Sequence, residues 1–206
     1  MPGTFVTVEG PDGAGKSTHL RRFHAELAAA GHPVVLTREP GGTPGAEEIR
    51  RLIVEPREWG EWDPEVEMLL FKAARHDHYH RLIRPELEAG KIVLSDRFAD
   101  STRVYQGVTR GELRGLVDTI HAAAIGVEPD LTLILDMDPQ VALERGLARR
   151  SGEDRFEDFG LSFQERLREG FLALADEAPG RCVVLDASAD PDTVARQVAD
   201  VVDSRI

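Results

Sequence analysis

Disulfides are excluded at the outset. The 206-residue chain has one cysteine, Cys182, which can form no internal pair. It lies in the apolar run CVVL and reads as a small core residue, and such sparing use fits a reducing compartment. Positive charge is scarce too. Lys and Arg number 25 against 37 Asp and Glu, a net charge of −12, which argues against a coat for nucleic-acid polymers or a basic membrane binder. A site for one small anion remains open, because it needs only a few local cations. No apolar run reaches the ~20 residues that span a bilayer. The opening MPGTFVTVEG has neither a basic leader nor a signal-like stretch, so a cytoplasmic protein is expected. Internal repeats, low-complexity segments and linkers are also missing, which predicts a single domain over 1–206. A chain of this length buries about 70% of its unfolded surface and needs no metal or disulfide to fold.

What the chain does have is alternation. Short apolar runs at 4–9 (TFVTVE), 33–37 (PVVLT), 91–95 (KIVLS), 131–136 (LTLILD) and 181–186 (RCVVLD) read as five strands. Helical patterns lie between them, at about 17–30, 46–53, 64–90, 99–106, 112–124, 139–149 and 162–177, with a last helix from 191. Pro85 is expected to kink or divide the long third pattern. Apolar strands alternating with helices predict an α/β fold, a parallel sheet covered on both faces. The polar stretch RRSGEDRFED has no apolar period and reads as a lid at about 148–158.

Gly10-Pro11-Asp12-Gly13-Ala14-Gly15-Lys16-Ser17 satisfies G-x-x-x-x-G-K-[ST] between a predicted strand and a predicted helix. The glycines let backbone N–H groups converge on phosphate oxygens, Lys16 adds a point charge, and the Ser17 hydroxyl suits Mg²⁺. The helix behind the loop turns its positive end toward the same phosphates. No guanine-reading NKxD is present. Asp136 and Asp96 each end a predicted strand, so either could supply the carboxylate beside the magnesium.

Three further segments fall just past strand ends, where parallel sheets place ligands. They are Arg38-Glu39-Pro40-Gly41-Gly42, Asp96-Arg97-Phe98, and Ser101 to Gly107. Guanidinium matches phosphate bidentately, so Arg38 and Arg97 suit a second phosphate; the alternative is a pair of surface salt bridges with Glu39 and Asp96. His76, His78 and His80 lack a metal-ligand spacing and read as helix-surface or dimer-contact residues.

GPDGAGKST, TREPGGT, LLFKAAR, SDRF, DSTRVYQG and DRFE stand in the order found in bacterial thymidylate kinases, and the chain resembles that family over residues 4–186. The resemblance implies a three-layer P-loop NTPase fold of the nucleoside-monophosphate kinase type, with a five-stranded parallel sheet, and a homodimer. It implies phosphoryl transfer from ATP to dTMP with Mg²⁺ as cofactor, giving dTDP. ATP would lie on Gly10, Pro11, Asp12, Gly13, Ala14, Gly15, Lys16, Ser17 and Thr18, with Ser17 and Asp96 on the metal side. Phe71 would stack on the thymine, and Arg75 would hydrogen-bond its edge. Ser101, Thr102, Tyr105 and Gln106 would line the base and sugar, while Arg38 and Arg97 would hold the dTMP phosphate. Asp12 would sit near the dTMP sugar and phosphate or the metal.

Some members of the family place a catalytic arginine in the phosphate loop, at the position of Gly13; others place it in the lid. With Gly13 in the loop, the lid arginines Arg149, Arg150 and Arg155 are the better match. Lys72, Val104 and Val108-Thr109 depart from the residues frequent in similar sequences. A kinase for another nucleoside monophosphate and a nucleotide-dependent binding module are the rival readings.

Overall fold

Strands with apolar side chains on both faces need cover on both, and the chain supplies it by threading a helix after each strand. The computed structural model describes residues 3–55, 58–108, 113–148 and 159–205. β1 (Thr4–Glu9) is followed by α1 (Lys16–Ala29), β2 (Val34–Arg38), α2 (Pro44–Val54) and α3 (Pro64–His78). A π-helical turn, Tyr79–Ile83, leads into α4 (Arg84–Glu88), then β3 (Ile92–Asp96), α5 (Ala99–Tyr105) and α6 (Arg114–Ala124). β4 (Leu131–Asp136), α7 (Pro139–Ala148), α8 (Leu161–Glu177), β5 (Cys182–Asp186) and α9 (Pro191–Arg205) complete the described order.

The five strands pair in parallel in the order β2-β3-β1-β4-β5. Opposite Asp96 lie Val8 on β1 and Arg38 on β2, and Glu9 pairs with Ile134. The carboxyl ends of β1, β2, β3 and β4 thus share one edge of the sheet. The predicted α/β class and five-stranded parallel sheet are what the structure has.

Strand alternation sorts the core into two faces. Val6, Val8, Leu131, Leu133 and Leu135 pack on Leu20 and Phe23 of α1 and on Val194, Val198 and Val202 of α9. On the other face Phe5 and Val93 meet Phe98, Tyr79 and Ile83. Ile134 and Cys182 on that face meet Val104, Phe163, Leu167 and Phe171. Cys182 is buried as expected, and burial pushes its thiol up to about 11.

The long helical pattern over 64–90 is broken, as Pro85 requires. Pro85 has no N–H to give Arg81, and the backbone just before it relaxes into the π turn. The lid at about 148–158 falls, after Ala148, outside the described residues.

Val104 finds its explanation across the α5–α8 contact. It packs where Gly170 of α8 has no side chain; a Cβ on Gly170 would stand 2.8 Å from Val104 Cγ1. Gly170→Ala should therefore forfeit the ~1 kcal/mol of helix propensity it would otherwise gain. We expect a net loss of about 1 kcal/mol from overpacking, measured by urea unfolding, and its recovery when Val104→Ala is added. A stabilised Gly170→Ala single variant would contradict this packing.

Candidate active site

The phosphate loop turns on residues with left-handed φ: Gly10 at 130°, Gly13 at 88° and Gly15 at 86°. Two of them also lie against backbone. A Cβ on Gly10 would meet Leu135 O at 2.5 Å, and one on Gly13 would meet Ala142 O at 2.1 Å. With α7 packed this closely, position 13 has no room for a side chain. Lys16 opens α1 and is buried, its Nζ donating to Pro11 O at 2.7 Å and lying 3.5 Å from Asp12 Oδ1. Ser17 and Thr18 are exposed at the mouth, and the Ser17 hydroxyl donates to Asp96 Oδ2.

Arg97 stands at the centre, in a left-handed backbone conformation (φ 72°) that a non-glycine residue holds only when its surroundings impose it. Nη1 donates to Gly10 O (3.1 Å) and Ser101 Oγ (2.9 Å), and Nη2 to Asp12 Oδ1 (2.7 Å) and the Tyr105 hydroxyl (3.2 Å). Tyr105 in turn donates to Asp12 Oδ2 at 3.0 Å. Burial pushes the Asp12 carboxyl up, but the charges of Arg97 and Lys16 outweigh it and hold Asp12 well below the usual carboxylate range. The structure thus brings Asp12, Lys16, Arg97, Ser101 and Tyr105 into one network, with Ser17 and Asp96 beside it.

A second network lies under the loop after β2. Arg75, on α3 and fully buried, donates through Nε to Glu39 Oε2 at 2.5 Å and through Nη2 to Phe98 O at 2.8 Å. His78 Nδ1 donates to Glu39 Oε1 at 3.0 Å, and its Nε2 shares a hydrogen bond with Thr37 Oγ1 at 2.7 Å. Arg75 Nη1 and Thr102 Oγ1 are buried with no hydrogen-bond partner among the described residues. Phe71, one turn before Arg75 on α3, is half-buried.

The structure corrects some expectations and locates the residues of others. The salt-bridge partner of Glu39 is Arg75, not Arg38, and that of Arg97 is Asp12, not Asp96. His78 is not a surface residue; its two ring bonds anchor α3 to the end of β2. Arg38 is the last residue of β2, not a loop residue. It is 55% exposed and bonds both carboxylate oxygens of Glu47 at 3.2 Å, outside the Arg97 network. Gln106 is buried with Nε2 committed to Glu67 Oε1 at 2.7 Å. Asp136 is held bidentately by Arg168 at 2.7 and 2.9 Å, which leaves Asp96 as the carboxylate beside Ser17. Arg149, Arg150 and Arg155 lie outside the described residues.

Sequence reading missed Glu9, whose carboxylate is wholly buried and accepts Phe98 N–H at 2.7 Å and the Ser101 hydroxyl at 2.6 Å. Burial, with the Asp100 charge adding to it, pushes Glu9 from 4.5 up to about 7. Its signal was available: Phe5, Thr7 and Glu9 alternate onto one face of β1. Asp100 was missed as well; Arg103 and Arg181 clamp it at 2.6 to 2.9 Å.

Comparison with known proteins bears on this geometry. A family model described as thymidylate kinase matches residues 8–198. The chain is 62% identical over 206 residues to a thymidylate kinase of Jannaschia sp. (strain CCS1), covering all of this chain and 99% of that one. It is 59% identical to a thymidylate kinase of Dinoroseobacter shibae, covering 96% and 95% of the two chains. A crystal structure of thymidylate kinase from Ehrlichia chaffeensis superposes with a TM-score of 0.80 at 34% identity, over 98% of this chain and 99% of that one.

Lys72, the departure beside Phe71, is buried, and its Nζ has no hydrogen-bond partner among the described residues. Burial first, then the charges of Arg75 and Arg103, push it down from 10.5 to about 7 against the pull of Glu39 and Asp118. Between those values the unfolded chain binds more protons than the native one, so this residue makes wild-type stability rise with pH. Below about pH 7 both states hold the proton, and the cost of burying the charge is at its maximum. Lys72→Met should raise stability by about 1–3 kcal/mol at pH 6.5. The gain should shrink in urea unfolding at pH 9, and an equal gain at both pH values would refute the account.

Proposed function

The chain belongs to the thymidylate kinase family and phosphorylates dTMP to dTDP with ATP, and from that premise we propose how its own residues divide the work. The reading rests above all on the Asp12–Arg97–Tyr105 network, which joins the phosphate loop to α5 at the carboxyl edge of the sheet. ATP lies on the loop Gly10 to Thr18, with Lys16 at its transferring end. The dTMP phosphate lies against Arg97, with Arg38 reaching it from β2 by exchanging Glu47 for phosphate. Phe71 offers a stacking face, and Arg75 Nη1 and Thr102 Oγ1 are the unsatisfied polar atoms that a nucleobase and its sugar can satisfy. Ser101, Tyr105 and Gln106 close the pocket.

Transfer makes one bond, from a dTMP phosphate oxygen to the γ-phosphorus of ATP, and breaks one, to the leaving ADP oxygen. The nucleophile is already ionised at neutral pH, so no protein base is required. The enzyme supplies alignment, charge and exclusion of water. Ser17 and Asp96 are oxygen donors of the kind Mg²⁺ prefers and are the residues that would hold it. The ion would offset negative charge on the ATP phosphates. Residues 148–158 act as the lid, and Arg149, Arg150 and Arg155 meet the charge of the transferring group, since position 13 cannot. We place the enzyme in the cytoplasm as a homodimer, on the cysteine usage and on the resemblance of its motifs to that family.

ADP release, measured with ATP and each monophosphate in turn, tests the acceptor site. The expected order is dTMP over dUMP, with dCMP, UMP and AMP poor. Loss of the 5-methyl contact is worth about 1–3 kcal/mol, so dUMP retains activity. The Tyr105 ring packs near Phe163 and Phe171 at 6.2 and 6.3 Å between centroids, and on the family resemblance it would occupy the space that a 2′-hydroxyl needs. Tyr105→Ala should therefore raise the UMP/dUMP ratio of kcat/KM, and an unchanged ratio would refute that steric account. A wild-type preference for AMP would overturn the whole site assignment.

A second test concerns the lid. Replacing Arg149, Arg150 and Arg155 together with alanine should lower kcat by about 10³ while weakening dTMP binding far less. A triple variant with wild-type kcat would move the source of that charge elsewhere.

A further inference from the structure

Glu9 takes no part in the transfer just described, yet it is a wholly buried carboxylate under the site. It lies on the face of β1 that also carries Phe5 and Thr7, below the segment running from Arg97 to Ser101. One oxygen accepts Phe98 N–H at 2.7 Å and the other accepts the Ser101 hydroxyl at 2.6 Å. Once ionised, Glu9 only accepts, and the Ser101 proton is then committed downward to it. The Ser101 oxygen then faces Arg97 with its lone pairs, and Nη1 donates to it at 2.9 Å. A hydroxyl free to rotate could instead turn its proton toward the guanidinium. On the other side, Phe98 gives its N–H to Glu9 while its carbonyl accepts Arg75 Nη2 at 2.8 Å.

We propose that Glu9 is a positioning residue that sets the spacing between the arginine holding the dTMP phosphate and the arginine reading its base. It acts on Arg97 through the Ser101 hydroxyl and on Arg75 through the backbone of Phe98. Asp12 and Glu39 grip the same two guanidinium groups from the other side. The anchor is a strand in the middle of the sheet, so the distance from phosphate to base is set by the most rigid element near the site. The proposal rests on the roles given above to Arg97 and Arg75.

A double-mutant cycle tests it, run at pH 8 so that Glu9 is ionised. Glu9→Gln keeps the volume, but its amide has one acceptor and cannot receive both Phe98 N–H and the Ser101 proton. We expect kcat/KM for dTMP to fall about 100-fold, the scale of a misplacement near 1 Å, with the KM for ATP unchanged. Ser101→Ala should also lower it, and the double variant should be no worse than the worse single one, because both break the same relay. Wild-type dTMP kinetics in Glu9→Gln would overturn the proposal. So would losses that multiply in the double variant, or equal losses toward ATP and dTMP. If Glu9→Gln does not fold, Glu9→Asp, a carboxylate one methylene short, takes its place in the same cycle with the same outcomes. Arg97→Ala separates the two levels. If it leaves dTMP kinetics intact, the site assignment has failed and this proposal with it; if it is severe while Glu9→Gln is silent, only the proposal has failed.

Discussion

The contact between Asp12 and Arg97, 2.7 Å long and with the arginine side chain 15% exposed, is where the phosphate loop and the turn after β3 become one object. Asp12 belongs to the loop after β1 and Arg97 to the turn after β3, and these strands are neighbours in the sheet. The pair is partly withdrawn from water, and Arg97 together with Lys16 holds the Asp12 carboxylate in its charged form. Together they draw in Tyr105, whose hydroxyl donates to the acid and accepts from the base. That in turn fixes α5, and with it Ser101 and Thr102. The left-handed backbone of Arg97 persists because its N–H is tied to Val8 O at 3.0 Å and its carbonyl to the Ser95 hydroxyl at 2.8 Å.

Beneath that contact the sheet departs from the all-apolar face that buried parallel strands normally present. Thr7 and Thr132 touch through their hydroxyls at 3.0 Å, Glu9 lies above Thr7 on β1, and Asp100 hangs from α5 between Arg103 and Arg181. The polar stripe crosses β1 and β4 on the α5 side, while the same strands give the α1–α9 side Val6, Val8, Leu131, Leu133 and Leu135. Both faces supply hydrophobic burial. The α5 side adds hydrogen bonds of fixed geometry beneath the site.

The strands, their parallel pairing and the phosphate loop were legible because each follows from local pattern: apolar runs, glycine spacing, and Lys-Ser opening a helix. Helix ends shifted by a residue or two, and Pro85 announced a division of the long helix but not the π turn that makes it. The site was legible in its members and not in its pairings. Glu39 and Arg75 are 36 positions apart, and Asp136 and Arg168 are 32 apart. Nothing local chooses Arg75 over Arg38 for Glu39, or Arg168 over a metal for Asp136; only the packing of α3 and α8 does. Glu9 was hidden differently, inside a strand whose other residues are those of a core.

The pairings also say what the site lacks. Arg97 and Lys16 share Asp12, Arg75 has Glu39, and Arg38 has Glu47. Three carboxylates serve these four cations, because Arg97 and Lys16 share Asp12. Such pairing fixes the direction of each guanidinium group. The two nucleotides of the proposed function bring several negative charges to cations that are each already shared with a carboxylate. On the function proposed above, Mg²⁺ at Ser17 and Asp96 would meet one part of that demand, and Arg149, Arg150 and Arg155 would meet the other.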